Sequence, residues 1–365
     1  MKNDNTKLNE VLQNLENNIE SILNKENLKI NDDFQDIKKL QEQITLKYNN
    51  TKPENVVKST IIDEYFVQDN IKYLIKYLKI DNTKSKPILI NKKEFIDPFA
   101  PPIKPDALVA EDFFGLGEHR LIFTKFPLFK EQVLLVSREF KSQYEQLTFE
   151  NMRDSILLIN TIDGCVFFNG GEKAGASQPR KHLQGFPYKS FLGGDNNFGI
   201  FTHIKNMENL SEVTYENKII NIHKKLGNFY QINKLKEENI EHIMFKFNDN
   251  MTQLMKNNIK ANITGELCLN IYQILLEFLN LNNYDNDNKI SGKITKDFSF
   301  ILTQEFMFVV KRKEHDIFIS DKAKEKNEIL NLNSLAFFFI IVSRDPEQIK
   351  EIKEGNIIHD IYTKL

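Results

Sequence analysis

Asn169-Gly170-Gly171-Glu172-Lys173-Ala174-Gly175-Ala176-Ser177-Gln178-Pro179-Arg180-Lys181-His182-Leu183-Gln184 is the densest polar, glycine-rich stretch of the chain. It follows an apolar run, Cys165-Val166-Phe167-Phe168, that reads as a strand. The chain holds only 14 glycines in 365 residues, about half the usual ~7%. None precedes Gly115, yet Gly164, Gly170, Gly171, Gly175, Gly185, Gly193, Gly194 and Gly199 all fall within residues 164–199. In a chain this rich in Asn, Lys and Ile, clustered glycines mark backbone that needs positive φ or close approach to a ligand. A set of tight turns would use them too.

Successive amides around Gly175, Ala176 and Ser177 suit an anion-binding nest, with the Ser177 hydroxyl as a further donor. The stretch is not a Walker P-loop, since Gly-Lys-Ser/Thr is missing, and it is not a Rossmann fingerprint. If residues 180–184 are extended, Arg180, His182 and Gln184 share one face, because side chains alternate with period two. A cation, an imidazole and an amide beside a phosphate-sized loop point to phosphoryl or nucleotidyl transfer. The competing reading of the same spacing is a solvent-facing edge strand with an incidental histidine.

Upstream, residues 121–126 and 132–137 read as short strands joined by Phe126-Pro127-Leu128-Phe129-Lys130, a hairpin-length connection. Thr148-Phe149-Glu150 opens a helix that runs to Ile162, with a hydroxyl cap and an early acid. Asn82-Thr83-Lys84-Ser85-Lys86-Pro87 is a turn-rich linker, and Asp97-Pro98-Phe99-Ala100-Pro101-Pro102 is a rigid extended connection. At the start, Leu8, Val11, Leu12, Leu15, Ile19, Ile22 and Leu23 form the stripe of an amphipathic helix that packs on the body of the protein.

Downstream, residues 206–290 are mostly helical by pattern, with a polar loop near 282–288. Residues 298–303 and 306–311 read as strands, 333–342 as helix or strand, and Asp345-Pro346-Glu347 as a helix start. The expected class is α+β with an antiparallel sheet. Three parts follow: a helical N-terminal extension over 1–85, a core with the active-site strand over 86–205, and a part completing the fold over 206–365.

Hydrophobic residues at 41% and charged residues at 27% supply a sizeable core. Lys+Arg 49 against Asp+Glu 51 gives a net charge of −2, which excludes a globally basic nucleic-acid binder. Cys165 and Cys268 read as buried thiols of a reducing, cytoplasmic compartment. No apolar run reaches the ~20 residues that span a bilayer, so no membrane partner is expected. Neither Cys-x-x-Cys nor His-Glu-x-x-His occurs, so no metal site is expected in the protein itself. No pattern sets an oligomeric state.

Gly-Ala-Ser-Gln-Pro-Arg-Lys-His-Leu-Gln, residues 175–184, resembles the active-site strand of the ATP adenylyltransferases, or diadenosine tetraphosphate phosphorylases. These form the His-x-His-x-Gln branch of the histidine-triad superfamily. Asp97-Pro98-Phe99 is similar to the family's Asn-Pro-Phe opening. Thr124-Lys125-Phe126 and residues 133–143 resemble its Asn-Lys-Phe and Leu-Leu-Val-Thr-x-Glu-Phe-x-Ser-Gln stretches. Leu147-Thr148, Phe168-Asn169-Gly170-Gly171, Ile301-Leu302-Thr303, Met307 to Arg312 and Asn333-Ser334-Leu335 continue the likeness, which covers about residues 90–365.

The resemblance implies a histidine-triad-like sheet core. It also implies a reaction in which dinucleoside tetraphosphate and phosphate give ADP and ATP. It assigns His182 as the nucleophile that takes the adenylyl group and Gln184 as a donor to the α-phosphate. Lys125, Asn169, Gly175, Ala176, Ser177, Gln178 and Arg180 become substrate-binding residues, and no cofactor is tightly bound beyond magnesium carried by the polyphosphate.

Arg180 stands where the family has its first histidine. It is expected to attract the polyphosphate and to disfavour protonation of His182. Other departures are Phe298-Ser299 for Tyr-Asn, Phe306 for Trp, Lys311 for Pro, and Ala336 and Phe339 for two glycines. His203 resembles a segment that would approach the substrate, while His119, His223, His242, His315 and His359 read as surface or structural. The alternatives are a nucleoside-diphosphate-sugar phosphorylase, and a non-catalytic dinucleotide sensor with a degenerate site.

Overall fold

The computed structural model describes residues 6–29, 37–52, 60–68, 71–79, 97–190, 200–201, 207, 210–213, 220–285, 290–325, 329–355, 361–362 and 364. The 82–87 linker, His203, His359 and residues 286–289 of the polar loop lie outside them.

One ten-stranded antiparallel sheet organises the chain, in the order β3-β4-β5-β7-β6-β11-β12-β10-β9-β8. Its N-terminal half comprises β3 (Leu108–Ala110), β4 (His119–Phe123), β5 (Val133–Ser137), β6 (Gly164–Gly170) and β7 (His182–Pro187). The C-terminal half adds β8 (Leu210–Glu212), β9 (Gly227–Ile232), β10 (His242–Phe247), β11 (Phe298–Leu302) and β12 (Phe306–Lys311). The seam between halves is the β6–β11 ladder, in which Ser299 faces Asn169 and Phe300 faces Phe168. The expected second and third parts therefore share one sheet.

Both faces of the sheet are covered, so its central strands are buried on alternate sides. Phe168, Leu183, Phe300 and Val309 pack under α3 (Phe149–Ile162) and the helix Ala261–Phe278. Phe167, Phe186, Ile301 and Phe308 pack on the other side, against Phe337, Phe338 and Ile341. Successive residues of β7 thus point to opposite cores. Leu183 faces the helices, whereas His182, Gln184 and Phe186 face away from them. Gly185 lies beneath α3, where a Cβ would stand 3.0 Å from Leu158 Cδ2.

The capping signal at Thr148 is realised as a capping box with Asn151. The N-terminal part departs from a purely helical extension. α1 (Thr6–Leu23) and α2 (Ile37–Asn50) join the helical face, but β1 (Thr60–Gln68) and β2 (Ile71–Lys79) form a hairpin across the other. β2 pairs in parallel with a late strand, Ile340–Ser343.

Residues 210–247 also depart from expectation, with three strands where helix was expected. Asn228, Lys246 and neighbouring polar residues dilute the period-two signal. Gly227 fixes one corner at φ +144, where a Cβ would lie 2.0 Å from the Lys246 carbonyl oxygen. The ambiguous 333–342 run divides between a 3-10 turn (Ser334–Phe338) and that last strand. Phe339 is left-handed at φ 61 between them. No helix among the described residues is long and apolar enough to cross a membrane.

Candidate active site

β7 begins at His182 because the chain arrives there already tied down. Gln143 donates its N–H to the Pro179 carbonyl at 2.7 Å, and Lys181 donates to the Lys141 carbonyl at 2.7 Å. The ladder between β6 and β7 runs from the Gly164–Pro187 pair to the Phe167–Gln184 pair. Beyond that the strands part to admit the glycine-rich loop. The fully buried Gln143 side chain fills the gap: its Oε1 accepts the His182 amide at 2.9 Å, and its Nε2 donates to the Asn169 carbonyl at 2.9 Å.

His182 is 4% exposed. Its Nδ1 lies 2.9 Å from the Arg180 carbonyl oxygen. A carbonyl can only accept, so Nδ1 carries the proton and Nε2 keeps its lone pair. No described residue bonds Nε2. Burial pushes the His182 pKa below the ordinary 6.5, opposed by the Arg180 carbonyl and the Asp97 carboxylate. The ring of Phe99 lies 5.0 Å from the imidazole at 57°. On the same sheet face Ile122, Leu134 and Val136 form a small apolar cluster with Phe99 and Ile103.

Gln184 is held by a chain of bonds whose polarity can be traced to the backbone. The amides of Leu128 and Phe129 donate to Gln132 Oε1 at 2.7 and 3.4 Å. Gln132 Nε2 must then be the donor across the 3.1 Å contact to Gln184 Oε1. The Gln184 amide nitrogen is left with two protons and no partner among the described residues. It stands one turn of the pleat from His182, on the same face.

The glycine-rich loop is built partly against itself. Gly171 and Gly175 sit at φ 101 and 90. A Cβ on Gly175 would lie 2.7 Å from Asn333 Cβ and 3.0 Å from His315 Cδ2, so the loop is clasped by the C-terminal half. The Gly175 amide donates to the Glu172 carbonyl and the Ala176 amide to the Gly171 carbonyl. The three-amide nest is therefore corrected: two of its donors close the loop's own turn. Ser177 is exposed, and among the described residues nothing bonds its amide or hydroxyl. Gln178 beside it is half-buried.

Asn169 also turns inward. Its Nδ2 donates to the Gly175 carbonyl at 3.4 Å, while its Oδ1 accepts the Ser334 hydroxyl at 2.6 Å and amide at 3.2 Å. It shapes the loop as a clamp between the two halves. Lys125 is exposed, with its ammonium 5.4 Å from the centre of the Phe126 ring.

Arg180 departs furthest from expectation. It is 6% exposed, and its Nε donates to Asp97 Oδ2 at 2.7 Å. Its Nη1 donates to the carbonyls of Ser137 and Arg138 at 3.1 and 3.0 Å. Its charge is matched by a carboxylate rather than offered to a polyphosphate, and the downward push on His182 comes from burial. Asp97, Gln132, Gln143 and Ser334 were missed as site-building residues, although all four lie in stretches the sequence singles out.

Residues 31–198 match the family described as Ap4A phosphorylase N-terminal domain, and residues 238–365 match the ATP adenylyltransferase C-terminal domain. Over 99 residues, 24% of this chain, the sequence is 37% identical to diadenosine 5',5'''-P1,P4-tetraphosphate phosphorylase 2 of Saccharomyces cerevisiae. That aligned segment spans 30% of the yeast protein's length. Protein APA1 of the same yeast is 23% identical over 318 residues, covering 79% of this chain and 87% of that protein.

A crystal structure of yeast Ap4A phosphorylase Apa2, and one of Apa2 in complex with Ap4A, superpose at a TM-score of 0.63. Each covers 89% of this chain and 95% of the yeast chain, at 19% and 20% identity, a likeness of fold. With both domain models matched in order, on one sheet that joins them through the β6–β11 ladder, the chain belongs to the Ap4A phosphorylase (ATP adenylyltransferase) family of enzymes.

Proposed function

We propose that this protein cleaves diadenosine tetraphosphate with inorganic phosphate to give ADP and ATP, through an adenylyl group carried on His182. The observation that carries the reading is the Nδ1 bond to the Arg180 carbonyl, which leaves Nε2 as an unprotonated nucleophile in a buried site. Nε2 donates its lone pair to the α-phosphorus, and the bond from that phosphorus to the bridging oxygen breaks. ATP departs with the electron pair on that oxygen. An oxygen of inorganic phosphate then attacks the same phosphorus, the N–P bond returns its pair to Nε2, and ADP leaves.

Polyphosphate is a good leaving group, so the site asks for charge stabilisation more than for a strong acid. The Gln184 amide protons suit a non-bridging oxygen of the α-phosphate. Ser177, exposed on the loop, and Gln178 beside it are the binding donors for neighbouring phosphates, and Lys125, exposed just after β4, is a further cation for them. The polyphosphate enters as its magnesium complex. The unpaired buried thiols of Cys165 and Cys268 fit a cytosolic protein.

The test is to mix the protein with diadenosine tetraphosphate labelled at the α-phosphorus, without phosphate. Covalent label on the protein with stoichiometric ATP release is the expected result, reversed to ADP when phosphate is added. Label taken only from a nucleoside-diphosphate sugar would make it a sugar-nucleotide phosphorylase. Reversible binding without label would make it a sensor.

A further inference from the structure

Asp97 and Arg180 lie beside the nucleophile, and the transfer steps above use neither side chain. One Asp97 oxygen accepts from Arg180 Nε at 2.7 Å, and the other accepts the Phe99 amide at 3.0 Å. The Phe99 ring rests against the His182 imidazole, and the Arg180 carbonyl holds its Nδ1 proton. The pair thus reaches the imidazole at two points, through the Phe99 ring and through the Arg180 carbonyl.

Its charge matters as well. Attack through Nε2 while Nδ1 keeps its proton leaves the ring as a phosphorylated imidazolium, one unit more positive than before. An unmatched guanidinium two residues away opposes that change, in a site too buried for water to screen it well. We propose that Asp97 is a positioning residue that cancels the Arg180 charge, so that the His182 ring can become cationic during transfer, and that fastens Phe99 against that ring. This deepens the adenylyl-transfer reading and rests on it for the reaction. The charge balance itself governs simple protonation of His182 and is measurable without substrate.

The experiment titrates histidine-15N-labelled full-length protein by NMR, with His182 assigned from the resonance lost in His182→Ala. Asp97→Asn keeps an acceptor for Phe99 and removes the charge. Its His182 midpoint should fall by roughly half a unit or more. Its single-turnover labelling should slow about 100-fold, with substrate affinity changed less than about threefold. Arg180→Gln should raise the midpoint instead. Asp97→Asn/Arg180→Gln, neutral at both positions, should return the midpoint to near wild type and labelling to within about tenfold.

An unmoved midpoint in Asp97→Asn, or a double variant displaced as far as the single one, overturns the proposal. Should Asp97→Asn fail to fold, the opposite shift in Arg180→Gln and its reversal in the double variant still decide it. If the wild-type protein never takes label, the functional reading fails, and the midpoints still decide the role of Asp97.

Discussion

At the residue scale the site turns on which nitrogen and which amide face the substrate. His182→Ala should abolish covalent labelling and turnover while leaving nucleotide affinity within a few-fold, because the side chain supplies a bond rather than binding surface. Retained turnover above a few per cent would place the chemistry elsewhere. Gln184→Ala removes one donor to developing charge, a loss on the order of 10²–10³ in turnover and smaller than that of His182→Ala. Gln132 gives a sharper test of orientation. In Gln132→Glu the Leu128 and Phe129 amides still find an oxygen, but the remaining oxygen can only accept. Gln184 must then flip and present its carbonyl to the phosphate. Turnover should fall at least as far as in Gln184→Ala, whereas Gln132→Met, which leaves Gln184 free to turn, should lose less.

The pH dependence belongs to the same residue. Burial holds the His182 pKa below 6.5, so the neutral nucleophile persists as pH falls and is lost only when pH drops through the lowered value. The acid limb of labelling should therefore lie below pH 6.5, read from single-turnover rates across a pH series. A limb at or above 6.5 would mean that the ring is wetter than the 4% exposure of His182 allows.

At the element scale, strand β7 was legible and its surroundings only partly so. Period two in Arg180, His182 and Gln184, and the glycines upstream, are local signals that survive in one sequence. What Arg180 does with its guanidinium depends on Asp97, 83 positions away, and no spacing rule reaches that far. The loop shows the same limit. Its glycines were visible, but the reason for Gly175 is Asn333, which only folding brings to 2.7 Å from where a Cβ would stand. Gly175→Ala should therefore strain the loop twice, by its φ of 90 and by that clash, at a cost of about 1–3 kcal/mol. Thermal unfolding should register the loss, and KM should rise by roughly tenfold as Ser177 is displaced. A variant with wild-type KM would detach the loop from substrate binding.

At the scale of the whole molecule, the sheet makes one structure of two sequence halves, so stability far from the site bears on the site. β9 and β10 lie at the far end of that sheet and were missed, because Asn and Lys interrupt their alternation. They carry His242, fully buried, with Nδ1 2.7 Å from the Ile240 carbonyl and Nε2 accepting the Ile232 amide at 2.8 Å. That amide needs an unprotonated nitrogen, so the folded state holds the ring neutral, and burial lowers its pKa to about 4. The unfolded chain takes up the proton near 6.5. The contribution of His242 is therefore complete above pH 6.5 and lost progressively as pH falls from 6.5 toward 4, at most about 1.4 kcal/mol per unit. His182, also depressed, acts in the same direction. Denaturant unfolding at a series of pH values should show stability falling over that window. In His242→Gln, whatever its absolute stability, the fall should be shallower by about one proton's worth of slope. Parallel curves for the two proteins would mean that His242 titrates normally and that the far end of the sheet is open to water.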